Sequence, residues 1–263
     1  MMSVAIVVLT YSRVHLLRQC YEGVLARTSP LTSEIVIWDN ASTDGTAPYL
    51  DSLADTRVRV VHNSENIGQN AYAEAFKLAT ATHLIELDDD VIDAPPSWDE
   101  TLLSAFGKLP EIGFLAADLE DNPHDVAAHV RHHVRPHLYQ PGEENGVRLL
   151  YGPTGGGCAM TSRELYDLVG GFPQKRGRTF YLEDAAYIKR IEKLGYRAAV
   201  LRDLRVTHAG GPYYAPFTPE KEAYWAAVER HEQRRNAVKR LLLALPFARR
   251  LNARFRWVQE PLR

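Results

Sequence analysis

The 263-residue chain is 45% hydrophobic and 24% charged, a balance that excludes a disordered or fibrous polymer and is sufficient for one large folded domain. Its formal charge of -2 gives no general reason to expect nucleic-acid binding. That charge is uneven: Arg234 to Arg263 carries nine Lys or Arg against one Glu, which leaves a tail of +8 and a remainder of -10. The two cysteines, Cys20 and Cys158, fit no metal-spaced or C-x-x-C pattern, so a disulfide framework is not expected and a reducing cytoplasm suits the chain.

In chain order, "VAIVVLT" (4–10) is predicted as the first strand of a soluble protein. It lacks the basic leader and cleavage site of a signal peptide, and no run nears the roughly 18 apolar residues of a membrane span. A helix is predicted over 13–26, a strand over 34–40, a turn and N-cap in "NASTDGT", then a helix over 45–54. A strand over 58–63, a helix over 70–81 and a strand over 82–90 complete the first 110 residues. Nearly apolar strands alternating with helices predict a parallel sheet covered on both faces, with ligands at the carboxyl ends of its strands. Right-handed crossovers then bring three polar clusters to one edge: Thr10-Tyr11-Ser12-Arg13, Asp39-Asn40 and Asp88-Asp89-Asp90. An acidic triplet alone is also compatible with a solvated turn. Its convergence with two other polar strand ends favours a ligand site.

Beyond residue 110, "HDVAAHVRHHVRPH" (124–137) holds five of the ten histidines, but its spacing matches no zinc pattern and it reads as a polar excursion shaping an acceptor pocket. "YGPTGGGCAM" (151–160) offers either a close backbone approach to a ligand or a flexible turn. "SRELYDLVGGF" reads as a helix stopped by glycines, and "FYLEDAAYIKRIEKLGYRAAVL" as a helix opened by Glu183-Asp184 and followed by a strand. Such acids commonly serve only as helix-dipole partners. In the tail, Val238, Leu241, Leu242 and Leu245 share one helical face up to Pro246; Phe247, Leu251, Phe255 and Val258 follow, flanked by Arg249, Arg250, Arg254 and Arg256. Both segments suit packing on the acidic body or lying on an anionic membrane surface.

Taken in order, these pieces resemble family 2 glycosyltransferases of the GT-A fold over roughly residues 3–210. "VAIVVLTYSR" is similar to the family's opening strand and Thr-Tyr-Asn-Arg turn, with Ser12 in place of Asn, and "IVIWDNASTDGT" to its second strand and Asp-x-x-Ser-x-Asp-Gly-Thr loop. "NSENIG" looks like its Asn-x-Gly stretch, and "LIELDDDV" occupies the Asp-x-Asp position. "GGGCAMTSRELYDLVGGF", "YLEDAAYIKRIEKLGYR" and "VTHAG" match the acceptor-side glycines, the Glu-Asp helix and the closing histidine. There are departures. "AYAEA" puts Tyr72 and Ala73 near positions where the family often has Arg and Asn, and Ala186 stands where a further acid often follows.

The resemblance implies a mostly parallel α/β domain with crossover helices. It comprises a Rossmann-like nucleotide-sugar-binding half (1–110), an acceptor-binding and catalytic half (111–215) and a basic amphipathic helical extension (216–263). It implies an inverting, metal-dependent transfer of a sugar to a hydroxyl acceptor, free or lipid-linked, in glycan or glycoconjugate synthesis. Tyr11 is expected to stack on the base, with Thr10 and Asp39 at its polar edge and Arg13 and Asn40 beside them. An aspartate there suits the imide N–H of uracil or thymine, so UDP- or dTDP-sugars are the expected donors. Asp90 is expected to hold Mn2+ or Mg2+, with Asp88 and His208 as further ligands, and Asp88 or Asp89 to face the ribose hydroxyls. Asp184 is the expected base, Glu183 is expected to orient the acceptor or neighbouring groups, and Gly155, Gly156 and Gly157 are expected against acceptor or donor sugar. A cytoplasmic site is expected, on the inner membrane face if the tail binds lipid. A sugar-phosphate nucleotidyltransferase would need a glycine-rich basic loop that "TYSRVHLL" lacks, a glycoside hydrolase would not need the nucleotide-side strand ends, and a non-catalytic nucleotide-sugar binder would lose the base or metal aspartates.

Overall fold

The computed structural model describes residues 2–121, 136–211 and 214–244. In chain order its main elements are β1 (Val4–Thr10), α1 (Val14–Gly23), β2 (Thr32–Asp39), α2 (Thr46–Asp51), β3 (Val58–His62), α3 (Asn70–Phe76), β4 (His83–Asp88), β5 (Val91–Asp93), α4 (Trp98–Phe106), β6 (Ile112–Asp121), β7 (Gln140–Glu144), β8 (Val147–Tyr151), β9 (Cys158–Ser162), α5 (Arg163–Leu168), α6 (Glu183–Glu192), β10 (Arg197–His208) and α7 (Pro219–Ala244). Contacts divide the chain into one unit through Pro216 and a second from Phe217.

Along β1, side chains alternate between two cores, as the pleat requires. Val4, Ile6 and Val8 join Leu17, Cys20, Trp98 and Leu102 of α1 and α4 on one face. Ala5 and Val7 join Tyr72, Phe76, Leu165 and Tyr187 of α3, α5 and α6 on the other. The second core is aromatic, with Phe76 4.9 Å from Phe172 and Phe172 5.2 Å from Tyr187 between ring centres. Burial on both faces explains why these strands are continuously apolar.

The sheet runs β3-β2-β1-β4-β9-β6-β10-β8-β7, with β5 paired to β10. From β3 to β10 the strands share one direction apart from β9, which is antiparallel to both neighbours, so the centre is mostly parallel as expected. The chain leaves β1 towards β2 and returns on its other side at β4. The crevice beyond the ends of β1 and β4 is therefore a topological switch point, where open α/β sheets bind ligands.

Each of the four strands predicted in the first 110 residues has its counterpart in β1 to β4, and the strand predicted after the Glu183-Asp184 helix in β10, whereas α4, β6 and the β7-β8 hairpin had no counterpart in the reading of the sequence. The glycine run makes a turn that leads into β9, which is buried between β4 and β6. Gly45 stands at the cap position of α2 without a side-chain bond, but Asp44 of the predicted turn accepts the N–H of Thr46, the first residue of α2, at 3.0 Å, and with its other oxygen the N–H of Val14 at 2.9 Å, tying the start of α1 to the β2–α2 loop. Of the predicted tail face, Val238 and Leu241 are 56% and 73% exposed on α7; Leu245 and everything after it lie outside the described residues, as do His124 to His133. Among the described residues no helix is long and apolar enough to cross a membrane.

Gly68 joins the loop after β3 to the segment before α6. Its φ of +58° is left-handed, and a Cβ there would overlap the carbonyl of Thr179, which accepts the N–H of Gln69 at 2.9 Å. Gly68→Ala therefore combines a left-handed penalty with a backbone collision. It is expected to lower unfolding stability by at least about 2 kcal/mol, measured by urea denaturation.

Candidate active site

The turn after β1 is clamped to the turn after β2. Ser12 takes a left-handed φ of 49°, donates its N–H to Ser42 Oγ at 2.8 Å and accepts the N–H of Thr43 at 3.1 Å. That clamp aims Arg13 across the sheet edge at the end of β4. Its guanidinium pairs with Asp90 Oδ2 at 2.9 Å and with Asp89 Oδ1. Burial works against the charge of Arg13, but Asp89, Asp90 and Asp88 outweigh it and hold its pKa above the ordinary value. Burial in turn raises the Asp89 carboxyl above the usual carboxylate range, against the pull of Arg13.

Asp88 is oriented from two sides. Tyr72 donates its hydroxyl to Asp88 Oδ1 at 3.1 Å, and the Asp88 N–H is held by the carbonyl of Gly157 at 2.9 Å. Burial keeps the Tyr72 phenol well above its ordinary pKa, so it remains a donor. His208 arrives from the far end of the domain because β10 pairs with β5: His208 lies opposite Val91, and the N–H of Ala209 bonds the Asp90 carbonyl at 2.7 Å. Its Nε2 lies 3.2 Å from Asp90 Oδ1. One ligand atom each from Asp88, Asp90 and His208 fall within 4.8 Å of one another. Two carboxylates and an imidazole with that spacing fit Mn2+ or Mg2+ coordination.

The glycine run connects this trio to the acids of α6. The N–H of Gly156 bonds Asp184 Oδ2 at 2.9 Å, and Asp184 Oδ1 accepts the N–H of Ala185 at 2.6 Å. A Cβ at Gly156 would strike the carboxyl of Glu86, and one at Gly157 would come within 3.2 Å of Asp88 Oδ2. Glu86 shares the face of β4 that carries Leu84, so it rises from the aromatic core towards Glu183, with which it hydrogen-bonds. Burial pushes both carboxyls well above the ordinary range; the charge of Asp184 acts in the same direction on both and Glu183 does so on Glu86, whereas the hydrogen bond from Glu86 lowers Glu183. Glu183 and Asp184, consecutive at one helix start, thus have different surroundings.

At the other end of the edge, Asp39 lies buried, with Oδ1 accepting the Ser42 N–H at 2.9 Å and Oδ2 3.1 Å from His62 Nδ1. Tyr11 is partly exposed on the clamped turn, directly after Thr10, which lies opposite Asp39 in the β1–β2 register. Asn40 is committed to the protein: its amide donates to Asn66 Oδ1 at 2.8 Å and to the Gly68 carbonyl at 3.3 Å, and accepts the Ile67 N–H at 3.0 Å.

Residues 5–170 match the family described as Glycosyl transferase family 2. The chain belongs to that family. It is also 25% identical over 210 residues to the uncharacterized protein y4gI of Sinorhizobium fredii, covering 73% of this chain and 23% of that protein, so it spans about a quarter of the curated relative it matches. Among solved structures, it is similar to the mannosyltransferase PcManGT of Pyrobaculum calidifontis, solved with GDP-Man and Mn2+ (24% identity, TM-score 0.57, 78% of this chain and 56% of that one). It is also similar to S. aureus TarS in complex with UDP (14% identity, TM-score 0.62, 81% and 62%) and to GalNAc-T7 with UDP, GalNAc and Mn2+ (16%, 0.57, 80% and 44%). The fold shared with these neighbours is GT-A.

Within this family 2 domain, several sequence expectations change. Asp89 is fully buried against Arg13, so it is not free to meet ribose hydroxyls, and Arg13 itself is held by the aspartates rather than by open space. Thr10 is fully buried and uses its carbonyl on the Asn40 N–H at 2.9 Å, so Thr10 and Asn40 shape the edge from within. Gly155 is partly exposed, while Gly156 and Gly157 are wedged between acids. Tyr72, Glu86 and His62 went unassigned by the sequence reading. Only Glu86, a charged residue inside an apolar strand, breaks a local pattern visible without the fold.

Arg13→Met removes the counter-charge from two buried aspartates and is expected to cost about 3–5 kcal/mol of stability. Adding Asp89→Asn to it should recover part of that loss, a non-additivity measurable in a urea-denaturation double-mutant cycle.

Proposed function

We propose that this chain transfers a sugar from a UDP- or dTDP-linked donor to a hydroxyl acceptor, with inversion, in polysaccharide, cell-envelope glycan or glycoconjugate synthesis. One observation carries the reading: adjacent glycines bond both halves of the site, Gly157 to the backbone of Asp88 in the cation-competent trio and Gly156 to the carboxylate of Asp184. A leaving diphosphate and a proton-accepting carboxylate are thereby held in one frame. The nucleotide diphosphates and Mn2+ bound to PcManGT and GalNAc-T7 support the same assignment here.

In this reading Tyr11 stacks on the base and Asp39 accepts its imide N–H. Asp88, Asp90 and His208 hold Mn2+ or Mg2+, which when bound offsets the charge that develops on the leaving diphosphate. Asp184 takes the proton from the attacking acceptor hydroxyl. Glu183 is the poorer base because burial and the neighbouring charge of Asp184 raise its pKa well above the ordinary range, and it serves instead to orient the acceptor or neighbouring groups. A single base opposite the leaving group gives direct displacement, so an α-linked donor yields a β-linked product.

The tail supports a further localisation reading, contact with the cytoplasmic face of a membrane. Val238 and Leu241 are exposed on α7 rather than buried in a core, and the tail carries +8 against -10 for the rest of the chain. Sedimentation with anionic liposomes should retain the full chain at low salt and lose it at physiological salt, whereas a version ending at Ala244 should stay in the supernatant throughout. Failure of the full chain to sediment at low salt removes this reading.

Two variants separate the catalytic roles. Asp184→Asn should bind UDP with Mn2+ nearly normally yet lose transfer by roughly 10²- to 10⁴-fold, in a mass-spectrometric screen of UDP- and dTDP-sugars. Asp90→Asn should instead abolish the Mn2+ dependence of UDP affinity, read by calorimetry. Unchanged transfer in the first variant moves the base elsewhere, and unchanged Mn2+ dependence in the second removes Asp90 as a ligand.

A further inference from the structure

His62 lies opposite Asp39 in the β2-β3 register, at the last position of an edge strand. Its imidazole bridges two carboxylates, with Nδ1 3.1 Å from Asp39 Oδ2 and Nε2 3.0 Å from Asp51 Oδ1. Asp39 presents its other oxygen to the Ser42 N–H at 2.9 Å, so the imidazole and one backbone amide are what hold this carboxylate in place. Asp51, in contrast, is an exposed residue at the end of α2. A neutral imidazole donates through one nitrogen and accepts through the other. Only the imidazolium donates to both carboxylates at once.

We infer that His62 is a positioning residue for the nucleobase: bridged to Asp51, it fixes the Asp39 carboxylate that receives the base, and its protonation couples nucleotide affinity to pH. The inference rests on the proposed reading that Asp39 meets the base. His62 touches neither the cation-competent trio nor Asp184, so its effect is confined to the base end of the edge.

The sign follows from the contacts. The titratable groups facing His62 are Asp39 from β2 and Asp51 from α2, and hydrogen bonds first to Asp39 and then to Asp51 raise its pKa above the ordinary 6.5. Below that raised pKa both bonds form and Asp39 is held. As pH rises through it one N–H is lost, the neutral ring donates to only one of the two carboxylates, the bridge between Asp39 and Asp51 opens, and Asp39 is held less firmly. Nucleotide affinity therefore falls on the alkaline side.

The test is calorimetric titration of the full chain with UDP at fixed Mn2+, from about pH 5.5 to 8.5, where histidine is the ordinary titrating side chain. The wild type should lose roughly three- to tenfold in affinity across a one-proton step above the ordinary histidine value, the size expected for one charged hydrogen bond acting indirectly. His62→Gln keeps one amide donor but does not titrate, and should bind as the wild type does at the alkaline limit, without that step. Asp51→Asn, exposed and remote from the base, should shift the step to lower pH. UDP methylated at N3, which offers Asp39 no N–H, should bind weakly and without the step. A step unchanged in His62→Gln, or unmoved in Asp51→Asn, overturns the role of His62 while leaving nucleotide binding intact. No UDP binding by the wild type at any pH overturns the nucleotide reading itself.

Discussion

Arg13 makes the aspartate triplet possible. Consecutive carboxylates at the end of a buried strand would carry a large desolvation cost without a partner, and Asp89 is wholly enclosed. Arg13 reaches Asp89 and Asp90 at once, so it must be held at a fixed height and angle relative to β4. The polar loops after β1 and β2 supply that geometry. Ser12, Ser42, Thr43 and Asp44 bond one another's backbones and the start of α1, which makes the short motifs "TYSR" and "STDGT" two halves of one brace. The same brace presents Tyr11 on one side and, through the Ser42 N–H, positions Asp39 on the other. The ends proposed to meet the base and the cation are therefore set by one mechanical unit.

The other half of the site comes from residues far along the chain, and strand pairing explains how they arrive. β9 inserts antiparallel between β4 and β6, which carries the glycines before it past Asp88. β10 runs parallel to β6 and finishes against β5, a strand formed immediately after the triplet, so His208 is delivered to Asp90 by hydrogen-bonded register rather than by loop packing. A site built this way moves with the sheet. Glycine at 156 is required because the Glu86 carboxyl occupies the volume where a side chain would stand, and at 157 a Cβ would crowd Leu119 and Asp88.

The parallel first half was legible because its strands are buried on both faces and its helices are separated from them by turn residues, so pattern and fold agree. The strand-end acids were legible for the same reason. What could not be read was any contact made across the sheet. Nothing local in "TYSR" says that its arginine serves Asp89 rather than a ligand, and nothing in "AYAEA" says that Tyr72 turns to Asp88. β9 was missed because it is a short strand entered through glycines, where local pattern describes a turn equally well. His62 looked like an ordinary strand end because its partners, Asp39 and Asp51, are brought to it by pairing and by α2.

Many carboxyl groups share this edge, and the structure separates them by giving each a different partner. Asp89 has Arg13; Glu86 and Glu183 have each other; Asp184 has the N–H groups of Gly156 and Ala185; Asp39 has Ser42 and His62. Asp88 and Asp90 differ from these in converging with His208 around a common point. Where acids are crowded, differing environments drive their proton affinities apart, and that division is what lets the proposed cation ligands, proton acceptor and structural acids coexist. It also explains why two consecutive acids at a helix start need not share a role. Glu183 is buried and its pKa is raised by burial and by the charge of Asp184, whereas Asp184 is turned to amide donors that suit a negative charge, and on that contrast the proposed base role of Asp184 rests.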